Sequence, residues 1–236
     1  SYRNGRLNVY PLDQDGIPGK AVTTIDEGKR EAHCVLLPPD GKNIYVPYVK
    51  ENLALLQYAY DSKTGKITPL ETKNAKPPLG SGPRHMVYHP TLPMVYFSNE
   101  QGIGLSSYQR EINGQLKVAQ DINILPSGMS KIGLSASDLV ITPDGEFLFA
   151  GLRGHSQDFN RISRYRILKD GRAEFIGLTM ADRIPWGLTL SPDGRFLLVS
   201  ATAGASLTAY QISPNGDLKK ITSLPWDPKM SDLVAQ

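Results

Sequence analysis

Apolar residues in this chain fall in short runs separated by turns, such as Phe147–Leu152 and Phe196–Ser200, and nothing reads as a long amphipathic helix. Three runs follow the same turn. They are Pro39-Asp40-Gly41-Lys42-Asn43-Ile44-Tyr45-Val46, Pro143-Asp144-Gly145-Glu146-Phe147-Leu148-Phe149-Ala150 and Pro192-Asp193-Gly194-Arg195-Phe196-Leu197-Leu198-Val199. A degenerate copy is His89-Pro90-Thr91-Leu92-Pro93-Met94-Val95-Tyr96-Phe97. Pro-Asp-Gly turns have a mechanism, because Pro presets φ and Gly accepts a positive one. A second turn recurs out of phase, at Asp15-Gly16, Thr64-Gly65, Asn113-Gly114, Asp170-Gly171 and Asn215-Gly216. Asn-Gly and Asp-Gly between apolar runs signal hairpins. Aromatic and aliphatic residues lead into these turns, as in Leu53–Tyr60, Leu105–Tyr108 and Leu207–Ile212.

The two turns divide the chain into periods of roughly fifty residues with four strands each. The Pro-Asp-Gly turn joins the first and second strands, and the Asn-Gly-type turn joins the third and fourth. Four-stranded units at this period predict an all-β fold, a β-propeller of antiparallel blades. A stacked sandwich is the alternative that the repeat disfavours. WD40 blades would each carry Trp-Asp, found here only at Trp226-Asp227, and the kelch Gly-Gly doublet is absent. The phase predicts four complete blades flanked by partial ones. Arg6–Thr24 reads as the last two strands of one blade, and Ser231–Gln236 as the first strand of another, by comparison with Ser137–Thr142. A propeller closes its ring to remove sheet edges. The expectation is therefore a single propeller domain over residues 1–236, with about two N-terminal blades lying outside the chain.

Composition narrows the function. With 40% hydrophobic residues, 22 Gly and 18 Pro among 236 residues, the chain is globular and turn-rich. No apolar run approaches the ~20 residues of a membrane helix, and a net charge of +3 is too small for nucleic acid as the main partner. The single cysteine, Cys34, excludes an internal disulfide; it reads as a small buried residue.

Strand direction decides which side chains can meet. Both recurring turns lie on one face, so chemistry belongs on the other, just before first strands and just after second strands. Before or at first strands come His33, the Arg84-His85 pair and Asp138; after second strands come Lys50, Glu100 and Arg153. These form a plausible anion-binding, acid–base pocket at the channel mouth. Arginines suit an oxyanion or a phosphate. His33 is either a core histidine or the base, Glu100 either a base or an arginine partner, and Asp138 either a functional acid or a backbone cap. Lys50 is either solvated or a phosphate contact. His155 and Trp186 are further candidates for the pocket wall. His85 and His89 are four apart, but on a strand that spans roughly 13 Å, too far to share an ion. No metal is expected, nor a nucleophile elbow or P-loop.

The stretch Gly82-Pro83-Arg84-His85-Met86-Val87-Tyr88-His89-Pro90, followed by Ser98-Asn99-Glu100, resembles the signature of the seven-bladed lactonase family. That family includes bacterial 6-phosphogluconolactonases of the cycloisomerase type and fungal 3-carboxy-cis,cis-muconate lactonizing enzymes. The likeness runs over essentially the whole chain. It implies a seven-bladed ring and matches His33, Arg84, Glu100 and Arg153 to the family's active-site positions; the strand-end reading adds Lys50, His85, Asp138 and His155 as substrate-binding candidates. It also implies a metal- and cofactor-free hydrolysis of 6-phospho-D-glucono-1,5-lactone, in the oxidative pentose phosphate pathway and in the cytoplasm. His33 or Glu100 would activate water and the arginines would hold the oxyanion. Pro185-Trp186-Gly187 departs from the pattern, since bacterial relatives tend to carry Arg between Pro and Gly. Asp227-Pro228-Lys229-Met230-Ser231 lacks the usual Gly-Pro-Met-Trp-like closure. Both departures bear on substrate. The alternatives are another lactone chemistry or a propeller that serves as an interaction platform.

Overall fold

The computed structural model describes residues 1–226, 230 and 232–235, without the Glu51 side chain. Its regular elements are strands apart from a single 3₁₀ turn at Lys50–Asn52. A two-stranded sheet pairs β1 (Leu7–Val9) with β2 (Thr23–Ile25), and a three-stranded sheet holds β3 (Asn43–Tyr48), β4 (Ala54–Asp61) and β5 (Lys66–Asn74). Three four-stranded sheets follow. They are β6 (Pro83–Tyr88), β7 (Met94–Asn99), β8 (Gly104–Arg110) and β9 (Leu116–Asn123); β10 (Leu134–Ile141), β11 (Phe147–Gly154), β12 (Arg161–Ile167) and β13 (Ala173–Met180); and β14 (Pro185–Leu190), β15 (Phe196–Ala201), β16 (Ser206–Ile212) and β17 (Leu218–Pro225). Each sheet is an antiparallel meander in chain order.

The core lies between blades. Val95 and Phe97 of β7 pack with Tyr45 and Leu55 of the preceding blade. Met94 and Tyr96, on the opposite face of β7, pack with Leu148, Ala150 and Leu152 of the next. Phe147 and Phe149 then meet Leu197, Val199 and Tyr210. A strand buried on both faces needs apolar residues at every position, so these second strands read as continuous runs. Tyrosine hydroxyls fasten the seams. Tyr45 Oη donates to the Gly114 carbonyl at 2.6 Å and Tyr96 Oη to the Gly171 carbonyl at 2.8 Å, each time reaching a hairpin turn of the next blade.

Two expected strands differ. Among the described residues, the run around His33 pairs with β3 only at the Ala32–Tyr48 bridge, flanked by bonds from the His33 N–H to the Pro47 carbonyl at 3.0 Å and from the Val49 N–H to the Glu31 carbonyl at 3.3 Å. Pro47 has no N–H to return, which interrupts a ladder there, and Val35, Leu36 and Leu37 are left exposed. Asp232–Ala235 form no strand, although Asp232 lies against Gly187 of β14; Ser231, Gln236 and Asp227–Lys229 lie outside the described residues.

Candidate active site

The inner strands β6, β10 and β14 each break register at corresponding places, between Pro83 and Met86, Ala136 and Leu139, and Pro185 and Gly187. A bulge sets an extra residue against one partner and re-aims the side chains on it. The re-aimed residues are Arg84 and His85, Ser137 and Asp138, and Trp186. Serines stitch the bulges together. Ser98 Oγ donates to the Ser137 carbonyl at 2.7 Å, and Ser137 Oγ donates to the Pro185 carbonyl at 2.8 Å. Gly151 stands opposite the second bulge, where a Cβ would come within 2.2 Å of Ser137 Oγ. The close approach therefore requires glycine.

Arg84 and Arg153 are 1% and 2% exposed. Arg153 Nη2 donates to Glu100 Oε1 at 2.8 Å and to the Ala136 carbonyl at 2.7 Å. Arg84 Nε lies 3.6 Å from the same carboxylate oxygen. The Trp186 ring covers both guanidiniums, with its centroid 4.5 Å from that of Arg153 and 5.5 Å from that of Arg84. Burial, and then the charge of Arg153, push Arg84 down to about 10, which leaves it charged at neutral pH. Arg84 Nε and Nη1 and Arg153 Nε find no hydrogen-bond partner among the described residues. Buried charged donors without partners are costly and rare, so these groups call for an acceptor from outside the described residues.

Beside them, His85 Nδ1 lies 2.7 Å from Asp138 Oδ1. Asp138 also accepts the Leu139 N–H on Oδ1 and the Leu188 N–H on Oδ2, both at 2.9 Å. The His33 ring packs 4.9 Å from His85 and 5.5 Å from Tyr2. Burial, then Arg84 and His85, push His33 down to about 3, so it is neutral at physiological pH. Burial likewise pushes the Cys34 thiol up to about 11, which leaves it un-ionised and a poor nucleophile.

A cavity of about 710 Å³ joins these groups, lined by Ser1, Tyr2, Ala32, His33, Arg84, His85, Glu100, Arg153, Trp186 and Asp232. The structure thus gathers His33, Arg84, His85, Glu100 and Arg153 around one space, with Asp138 directly behind His85. Two expected residues stand apart from the lining. Lys50 Nζ is held by Glu31 Oε1 at 2.7 Å, over the Tyr2 ring, and His155 Nε2 pairs with Ser135 Oγ at 2.8 Å. His89 turns away, accepting the Leu92 and Thr91 N–H groups on Nδ1 at 3.0 and 3.1 Å. Sequence reasoning missed Tyr2 and Asp232. The likeness of Ser231-Asp232-Leu233 to Ser137-Asp138-Leu139 carried a signal for Asp232, whereas no motif marks Tyr2. Among the described residues no helix is long and apolar enough to cross a membrane.

A family profile described as Lactonase, 7-bladed beta-propeller matches residues 1–229. A 6-phosphogluconolactonase of Klebsiella pneumoniae is 29% identical over 215 residues, covering 90% of this chain and 62% of that protein. One from an Enterobacter strain is 30% identical over the same length, with the same 90% and 62% coverage. The chain therefore spans a little under two thirds of these relatives. The solved periplasmic gluconolactonase of Pseudomonas aeruginosa superposes with a TM-score of 0.83 at 23% identity, covering 94% of this chain and 64% of that one; that likeness concerns the fold.

Proposed function

Because the chain belongs to the lactonase family of seven-bladed β-propellers, we propose that its cavity binds a sugar lactone and hydrolyses it, with 6-phospho-D-glucono-1,5-lactone as the first substrate to test. One observation carries this reading: two buried guanidiniums share Glu100 beside a 710 Å³ cavity and keep N–H groups without a hydrogen-bond partner among the described residues. Attack on a lactone carbonyl builds negative charge on its oxygen. Fixed cations and N–H donors preorganised around the position of that oxygen stabilise the charge more than they stabilise the ground state. Glu100 keeps both guanidiniums in place and offsets part of their mutual repulsion. The relatives' printed names support the phosphorylated substrate, and with it the oxidative pentose phosphate step.

A second reading rests on Trp186. It stacks on the arginines at the position where bacterial relatives tend to carry Arg. Among the described residues, the cavity lining then holds two arginines against the carboxylates of Glu100 and Asp232. That balance suits an unphosphorylated lactone better than a phosphate dianion.

The test is the rate of lactone loss above spontaneous hydrolysis, with a chelator present, for phosphorylated and unphosphorylated gluconolactones. The expected result is chelator-insensitive hydrolysis that Arg84→Ala and Arg153→Ala each reduce by ~10²-fold or more, the scale of losing an oxyanion donor. A rate at background with both lactones would overturn the reading.

A further inference from the structure

We infer that His85, held by Asp138, is the general base that activates water in this cavity, and that Glu100 and His33 are not. The inference rests on the lactonase reading above and assigns roles within it. Asp138 has both oxygens occupied by backbone N–H groups while Oδ1 also meets His85 Nδ1 at 2.7 Å. A carboxylate in that setting acts as an acceptor, which puts the imidazole proton on Nδ1 and leaves Nε2 as a lone-pair acceptor. His85 keeps 27% of its side chain exposed and lines the cavity, so water can reach it.

The rivals are placed differently. Glu100 Oε1 is engaged by Arg153 and faces Arg84, so that oxygen is committed to the guanidiniums, while Oε2 has no hydrogen-bond partner among the described residues. His33 packs against His85 and Tyr2, and its burial holds the ring neutral. A base whose proton affinity lies that far below working pH removes protons poorly. Asp138 of β10 and His33 ahead of β3 contact His85, and the other titratable side chains lining its cavity are Tyr2, Arg84, Glu100, Arg153 and Asp232.

The step balances as follows. Water oxygen attacks the lactone carbonyl carbon while Nε2 takes one of its protons, and the carbonyl π pair moves onto oxygen beside Arg84 and Arg153. Collapse re-forms the carbonyl and breaks the bond to the ring oxygen. The imidazolium returns its proton to that oxygen, and the new carboxylic acid loses its proton to solvent. Asp138 is a positioning residue, since it acts through His85.

Steady-state kinetics of the intact protein against pH test this, using whichever gluconolactone the wild type turns over. His85→Gln should lose ~10²–10⁴-fold in kcat, with little change in KM, and should lose the acid limb of the wild-type profile. Asp138→Asn should lower kcat with little effect on KM. ¹⁵N NMR of the imidazoles reads the tautomer independently of turnover, and only four histidines need assignment. The His85 proton should sit on Nδ1 in the wild type and move to Nε2 in Asp138→Asn. Folding is checked by circular dichroism. An active wild type whose His85→Gln variant keeps its rate within about three-fold would overturn this inference alone. So would an acid limb that disappears in His33→Gln or Glu100→Gln but survives in His85→Gln. A wild type inactive on every lactone would overturn the proposed function instead, and the tautomer measurement would still decide whether the His85–Asp138 pair exists as described.

Discussion

Arg84 and Arg153 are two cations taken almost wholly out of water and set beside one carboxylate. Such a group is expensive to keep unless something repays the desolvation, and the Trp186 face repays part of it through cation–π contact. In the second reading proposed above, Trp186 is the residue that sets phosphate selectivity. Trp186→Arg adds a cation to the cavity. It should raise the ratio of kcat/KM for the phosphorylated over the unphosphorylated lactone by about ten-fold, the equivalent of ~1.4 kcal/mol; paired assays with the two lactones measure it. The arginines, Glu100 and His33 were legible as polar residues at the ends of apolar strands. The stacking of Trp186 was not, because a ring and a guanidinium from different blades have no sequence spacing in common.

Strands and turns carry a second prediction. Gly171 has φ of +80°, and a Cβ there would come within 2.5 Å of Met94 Cγ in the preceding blade, whereas Gly80 has φ of +76° with nothing within 4 Å. Both alanine variants strain the backbone by ~1–3 kcal/mol, but only Gly171→Ala also forces the interblade seam apart. Urea unfolding should therefore rank Gly171→Ala as the less stable by at least ~1 kcal/mol, the scale of an overpacked core. The hairpin turns were readable because Asn-Gly and Asp-Gly act locally. The bulges that aim Arg84, His85, Asp138 and Trp186 were not readable, since a bulge is a property of a strand pair. The weakened first strand before β3 also escaped the repeat pattern, because its cause is a proline on the neighbouring strand.

Across the whole molecule, burial lowers the proton affinity of His33 to about 3, and also lowers that of His89 and His155. A histidine in the unfolded chain titrates near 6.5. The unfolded state therefore gains protons first as pH falls, and through His33 stability drops between about pH 6.5 and 3 with a slope of up to ~1.4 kcal/mol per pH unit, His89 and His155 acting in the same direction. Urea midpoints at pH 7, 6, 5 and 4 should fall in the wild type and fall less steeply in His33→Gln; equal slopes would remove His33 from this account. At this scale the sequence by itself determined the all-β class, the four-stranded repeat and the face on which polar residues collect, because turn chemistry and strand apolarity are local and recur with the blade. Only the tertiary structure decided that Arg84 and Arg153 share Glu100, that Asp138 holds His85, and that Lys50 and His155 are engaged elsewhere. The Arg153–Glu100 and His85–Asp138 pairings each join residues 53 positions apart across neighbouring blades, and their distances are fixed by how the inner strands bulge and pack rather than by any pattern along the chain.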